Sequence, residues 1–440
     1  MTQSTVRRLA RRSWVPQTTE AMADETAASL GASAAATFQL LDEQVDRNRS
    51  NHHAECVNLN PASNSMSPRA RAMLGSELGP RTSLGFAGEK YEMGLEAIER
   101  IELVAAELAA RVFDVDHVEF RVPSGAMANL YGFMATTSPG DVVIVPPPTI
   151  AGHVTHHSAG AAGWYGLEIH HAPVDADGYT IDIDALARLA EHVRPRLITV
   201  GGSLNLTHHD VPGIRAIADH HEAFVLFDAA HLSGPIAGGR WPNPIAAGAH
   251  LLTMSTYKSL AGPTAGLVMT SDPTLAERLD RIAFPGLTAN FDVGKTAALA
   301  VTLQEWLTDG RSHAATMIEC AARLADELTT LGVPVHRCGD IATRSHAFAI
   351  DARSLGGGAA AAKHLRRANL LASAIGLPSG VGDGVRIGTN ELARIGAVPD
   401  DMVELATLIA DAWREDDPAS VAARSSEFRS RFDGAHFTAS

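Results

Sequence analysis

Phe224-Val225-Leu226-Phe227-Asp228-Ala229-Ala230-His231 is an apolar run that ends on a carboxylate, and Leu251-Leu252-Thr253-Met254-Ser255-Thr256-Tyr257-Lys258 is another that ends on an amine. Each has the length and content of a strand buried on both faces. Reading outward, residues 118–122, 142–146 and 197–200 repeat the pattern, so 224–227 and 250–254 belong to a series of five. Helical spacing intervenes at 183–192 and 214–221, and the segment 95–112 places Ile98, Ile101, Val104, Ala105 and Leu108 on one face. Alternation of short β-branched runs with amphipathic helices predicts an α/β fold with a mostly parallel sheet covered on both sides. On such sheets ligands bind at the carboxyl ends of strands, where Asp228 and Lys258 stand. A helical stretch from 293 to 307 is read as ending at Asp309-Gly310. Together with the Gly356-Gly357-Gly358 break it divides the chain into an N-terminal arm (1–60), a large domain (61–305) and a smaller α+β C-terminal domain (306–440).

Composition narrows the function classes. The chain has 440 residues, 45% of them hydrophobic and 20% charged, enough to bury a substantial core. A formal charge of −14 argues against nucleic acid as partner, which needs dense basic residues to neutralise phosphates, and favours small molecules. Three scattered cysteines suggest neither a disulfide framework nor a zinc site, which fits a reducing cytoplasm. No run approaches the roughly 18 apolar residues of a membrane span. The start Arg7-Arg8-Leu9-Ala10-Arg11-Arg12 lacks the apolar core of a signal peptide and reads as a frayed or partner-docking arm.

One Asp or one Lys at a strand end is more often a solvated loop residue than a functional one. The pair gains weight from its surroundings. Val122-Pro123-Ser124-Gly125-Ala126-Met127-Ala128-Asn129 is a strand leading through small residues into a helix, a place where backbone amides and the helix dipole receive a phosphate. His153, in Ala151-Gly152-His153-Val154-Thr155-His156, follows the next strand and can cover one face of a planar ring. Arg386, on the short strand Gly384-Val385-Arg386-Ile387-Gly388, can pair with a carboxylate through its planar fork. Phosphate site, ring cover, carboxylate and desolvated amine together suit pyridoxal 5′-phosphate (PLP). This cofactor needs an acid group against its ring nitrogen and a lysine for its Schiff base.

The order of Ser124-Gly125-Ala126, Ala151-Gly152-His153, Asp228-Ala229-Ala230-His231, Lys258-Ser259-Leu260-Ala261-Gly262-Pro263, Phe284-Pro285-Gly286 and Arg386-Ile387-Gly388-Thr389 resembles serine hydroxymethyltransferase, from about Cys56 to Arg394. The resemblance implies fold type I of the PLP enzymes, the aspartate aminotransferase-like class. By it Ser124, Gly125 and Ala126 hold the phosphate, Ser255 also binds the cofactor and His153 stacks on the ring. Asp228 pairs with the ring nitrogen, His231 lies near the ring hydroxyl and Lys258 carries the Schiff base. Arg386 binds the substrate carboxylate, with Tyr91 and Tyr257 beside the substrate. It also implies a homodimer with shared active sites, the turn at Gly286 reaching the partner's phosphate.

The departures fall in the folate half of the site. Folate-using members carry a glutamate at the place of Leu84 and tyrosines at those of Thr82 and Glu92. They have a histidine where Tyr257 stands, and an arginine where Thr264 stands. Leucine transfers no proton. The expected activity is therefore folate-independent formation or cleavage of the Cα–Cβ bond of a β-hydroxy-α-amino acid, by an aldolase or transaldolase acting on an amino acid and an aldehyde. The alternative is a true serine or 2-methylserine hydroxymethyltransferase, with Glu89 or Glu92 supplying the missing carboxylate. Aminotransferase chemistry and a silent PLP-fold partner rank below these. Histidine pairs recur, at 52–53, 156–157, 170–171, 208–209 and 220–221, but adjacent residues rarely aim at one ion. No metal is expected, and His208-His209-Asp210 is the best candidate if one exists.

Overall fold

The computed structural model describes residues 9–30, 33–175 and 177–438. Two compact units divide the chain, the first ending at Cys56 and the second beginning at Val57. The first holds two helices, α1 (Gln17–Ser29) and α2 (Ala34–Ser50), neither with a buried residue. Among the described residues these two helices therefore bury no side chain that could make a core of their own. Arg7 and Arg8 of the Arg-rich start lie outside the described residues.

In the second unit a short strand, a seven-residue helix and a small hairpin precede α3 (Glu96–Phe113), whose apolar face buries Ile98, Ala105, Ala109 and Phe113. A sheet of seven strands follows, built from β1 (His117–Val122), β2 (Val142–Val145), β3 (Glu168–His171), β4 (Leu197–Gly201), β5 (Phe224–Asp228), β6 (Leu251–Ser255) and β7 (Gly266–Thr270). Their spatial order is β1-β7-β6-β5-β4-β2-β3. The run from β3 to β6 is parallel throughout; β7 pairs antiparallel with both β6 and β1. Residues of β4 and β6 are buried along their whole length, as strands covered on both faces must be. The predicted strands all form. β3 and β7 were not predicted: β3 is an edge strand with charged and half-exposed residues, and β7 lies next to the lysine turn.

Between these strands run α4 (Gly125–Thr136), α5 (Ile183–Val193) and α6 (Val211–His220). The 38-residue helix α7 (Val293–Thr330) then continues through Asp309-Gly310, where a stop was expected, and carries positions 305 and 306 inside it. Gly310 is there for room. A Cβ on it would lie 2.7 Å from Trp306, and a Cβ on Gly238 would come within 2.4 Å of the Gly310 carbonyl. Close packing, not helix termination, accounts for that glycine. Beyond α7, β8 (Ala347–Asp351), β9 (Ser373–Leu377) and β10 (Gly380–Gly388) form an antiparallel sheet ordered β8-β10-β9. Arg386 sits on its central strand.

Candidate active site

Asp228 is the last residue of β5 and only 1% exposed. Its Oδ1 accepts the Ala230 amide at 2.9 Å, and its Oδ2 accepts Asn129 Nδ2 at 2.9 Å and faces His156 Nε2 at 3.0 Å. Burial alone pushes the carboxyl pKa up. The hydrogen bond and charge of His156, with His153 and the Ala230 N–H, outweigh it and hold the group well below the usual carboxylate range. Asn129 comes from α4 and is itself fixed, its Oδ1 accepting Thr253 Oγ1 at 2.7 Å. The anion is therefore positioned by β6, by α4 and by the histidine segment at once.

Lys258 follows β6 on the turn after Ser255 and is 6% exposed. Burial lowers its pKa to about 8; Asp228 pulls upward and Arg386 downward. Its Nζ lies 3.2 Å from His231 Nε2, and Arg386 Nη1 approaches the same nitrogen at 3.3 Å. Lysine and arginine only donate, so His231 Nε2 is the acceptor and its hydrogen sits on Nδ1. Burial, reinforced by both cations, keeps His231 neutral. The Lys258 carbonyl accepts Asn64 Nδ2 at 3.0 Å, which fixes the turn from outside the sheet.

His153 is half-buried. Its Nδ1 accepts the Thr155 amide at 3.3 Å and lies 2.9 Å from Thr155 Oγ1, which places its hydrogen on Nε2. Burial lowers its pKa to about 4, against the pull of Asp228. Arg386 donates from Nη1 to the Ser203 carbonyl at 2.6 Å and from Nη2 to Ser373 Oγ at 3.0 Å. Burial brings the guanidinium pKa down to about 10, so it stays charged at neutral pH.

A planar phosphorylated ring fits this arrangement. Ser124 caps α4 by accepting the Met127 amide, and the first turn of the helix leaves N–H groups without intrahelical partners. A Cβ on Gly125 would fall 2.1 Å from Ser255 Oγ, so only glycine lets the helix start close on the end of β6. His231 Nδ1 is buried and has no partner among the described residues. The structure thus brings Ser124, Gly125, Ala126, His153, Asp228, His231, Ser255, Lys258 and Arg386 to the strand ends. Tyr257 is half-buried, its ring centroid 5.8 Å from Lys258 Nζ. Tyr91 is 82% exposed and Gly286 lies exposed in its turn, so neither is enclosed in this cluster within the single chain.

Asn129, His156, Ser203 and Ser373 were missed. Asn129 and His156 stood inside stretches already singled out, three to five residues from the chosen ones; Ser203 and Ser373 carried no signal. Leu84, half-buried, lies in a short hairpin whose backbone is closed by the Tyr91 amide on its carbonyl at 3.1 Å. Its own amide donates to Glu92 Oε2 at 3.2 Å. The hairpin is anchored to α3 by Lys90 Nζ on Glu102 at 2.6 Å and Ser83 Oγ on Glu102 at 2.5 Å, an ion pair only a few per cent exposed. His208-His209-Asp210 does not gather donors around one point: His209 is held by Asn205 and Asp210 caps α6. Among the described residues the group of three possible donors is Glu191, His220 and His221, at the ends of α5 and α6 that lead into the amino ends of β4 and β5, opposite the active site.

A mostly parallel sheet with a buried lysine and carboxylate at its strand ends, a phosphate-ready helix start and a cross-sheet arginine defines a PLP enzyme of fold type I. The chain belongs to the serine hydroxymethyltransferase family: the model described as "Serine hydroxymethyltransferase" matches residues 34–409. It is 54% identical over 437 residues to an alpha-methylserine aldolase of Variovorax paradoxus, with 98% of each chain covered. Serine hydroxymethyltransferase of Methanopyrus kandleri is 37% identical over 82% of this chain and 86% of its own. The fold matches that of L-threonine transaldolase from Pseudomonas fluorescens with a TM-score of 0.85 at 22% identity, over 92% and 94% of the two chains. The protein is thus a PLP-dependent enzyme that makes or breaks the Cα–Cβ bond of β-hydroxy-α-amino acids. No helix among the described residues is long and apolar enough to cross a membrane.

Proposed function

We propose that the enzyme reversibly cleaves an α-methylated β-hydroxy amino acid, of which α-methylserine is the simplest, into alanine and formaldehyde without tetrahydrofolate. Leu84 carries this reading: an aliphatic side chain stands where the folate-using enzymes resembled here have a carboxylate. Glu92, the nearest replacement, spends one oxygen on the Leu84 amide. The 54% identical relatives named alpha-methylserine aldolase support the choice of substrate.

PLP, when bound, supplies the electron sink that makes the Cα–Cβ bond breakable. The chain does the rest. Ser124, Gly125, Ala126 and Ser255 would hold the phosphate, and Asp228, kept anionic, would hold the proton on the ring nitrogen. Arg386 pairs with the α-carboxylate, and neutral His153 covers the ring and offers its Nε2–H to the substrate oxygen. Within the cluster, Lys258 is the basic group whose pKa, about 8, is matched to neutral solution. In cleavage it takes the β-hydroxyl proton while the C–C bond breaks and formaldehyde leaves, and it then gives that proton to Cα, which yields alanine and restores the neutral amine. A homodimer that shares its sites through the turn at Gly286, with Tyr91 and Tyr257 near the substrate, belongs to the same proposal. So do a cytoplasmic location and the division into a large part, 61–305, and a small one, 306–440.

The test is formaldehyde release from α-methylserine and from serine by purified enzyme, each with and without tetrahydrofolate. Release from α-methylserine at equal rates in both conditions is expected. Conversion that appears only with tetrahydrofolate would replace the proposal by hydroxymethyl transfer.

A further inference from the structure

Arg386 and Ser373 are register partners across β9 and β10. The Ser373 hydroxyl oxygen accepts from Nη2 at 3.0 Å and from Nε at 3.3 Å, so it occupies the lateral edge of the guanidinium. Its own proton goes to Asn60 Oδ1 at 3.3 Å. Asn60 is set in turn: its amide donates to Asn58 Oδ1 at 3.1 Å, and Asn58 Nδ2 donates to the buried Glu391 at 2.6 Å. On the other side Nη1 is held by the Ser203 carbonyl and faces His231. A guanidinium has five N–H groups. Two point at Ser373 and two at Ser203 and His231, which leaves one on Nη2 at the far end of the fork.

We propose that Ser373, held by Asn60, is a positioning residue for substrate binding. It fills the lateral edge of Arg386 and directs the substrate carboxylate to the terminal edge, where the free Nη2–H stands beside Nη1, whose long contact to His231 can be given up. A carboxylate would otherwise choose between two edges that each present a pair of parallel N–H groups. The inference rests on Arg386 being the carboxylate-binding arginine.

The experiment compares Ser373→Ala, Ser373→Thr, Asn60→Ala and Arg386→Lys as holoenzymes. Glycine and alanine binding is read from the cofactor absorbance, kcat and KM are taken with α-methylserine, and cofactor retention and melting temperature are controls. Ser373→Ala should weaken glycine binding and raise KM by about tenfold while kcat changes less than about twofold. Ser373→Thr, which keeps the hydroxyl, should restore binding, and Asn60→Ala should act in the same direction with a smaller effect. Weakened binding in Arg386→Lys with none in Ser373→Ala would overturn the role of Ser373 alone. Unchanged binding in Arg386→Lys would remove the arginine reading itself, and this inference with it.

Discussion

At the scale of single residues the site works by setting charge through burial. Lys258 loses its proton at about pH 8 because it is nearly enclosed, while Asp228 keeps its charge despite deeper burial because His156, Asn129 and the Ala230 amide converge on it. Capture of PLP needs the neutral amine, so the rate at which apoenzyme takes up the cofactor should rise with pH through about 8 and level off above it. Lysine with its ordinary pKa would keep rising to beyond 10. Stopped-flow absorbance across pH 6–10 measures this, and a midpoint near 10 would refute the assigned environment. Borohydride reduction and peptide mapping should find the cofactor on Lys258. The placement of Asp228 and Lys258 at the strand ends was legible because each ends an apolar run. Ser373 was not, since only antiparallel pairing of two strands thirteen positions apart places it beside Arg386.

At the scale of elements, the start of α4 and the end of β6 approach as closely as the chain permits. Gly125→Ala should therefore weaken PLP binding by about tenfold, or roughly 1.4 kcal/mol, with the fold retained. Ser255→Gly in the same chain should recover part of the loss, because the clash falls on Ser255 Oγ and Cβ. Equilibrium dialysis of PLP decides, and an unaffected single variant would mean that the phosphate is held elsewhere. Strands were readable from their apolar runs and the flanking helices from their spacing. The edge strand at 168–171 was not, because its ends are exposed and Ile169 is the single apolar residue in it, so it forms no apolar block. Asp309-Gly310 misled because a glycine required for contact with Trp306 and Gly238 looks, in one dimension, like a helix stop.

At the scale of the whole molecule, the cofactor contributes to stability because it binds only the assembled site. At a hundred times its dissociation constant it adds about 2.7 kcal/mol. For a chain of 440 residues, with roughly 2.1 cal/mol/K of unfolding entropy per residue, that is a rise in melting temperature of about 3 °C. Calorimetry of the holoenzyme against the cofactor-stripped form measures it, and no difference would argue that the site is not rebuilt around the ring. Unbroken α7 has a mechanical meaning as well. At 1.5 Å per residue its 38 residues form a shaft of about 57 Å, with no proline in it to act as a joint. A swing of the three-stranded sheet that carried Arg386 toward or away from Lys258 would have to pivot in the loops beside that shaft. Backbone amides around Gly310 should then exchange with deuterium as slowly as those a turn to either side, and fast exchange confined to them would reveal a flexure.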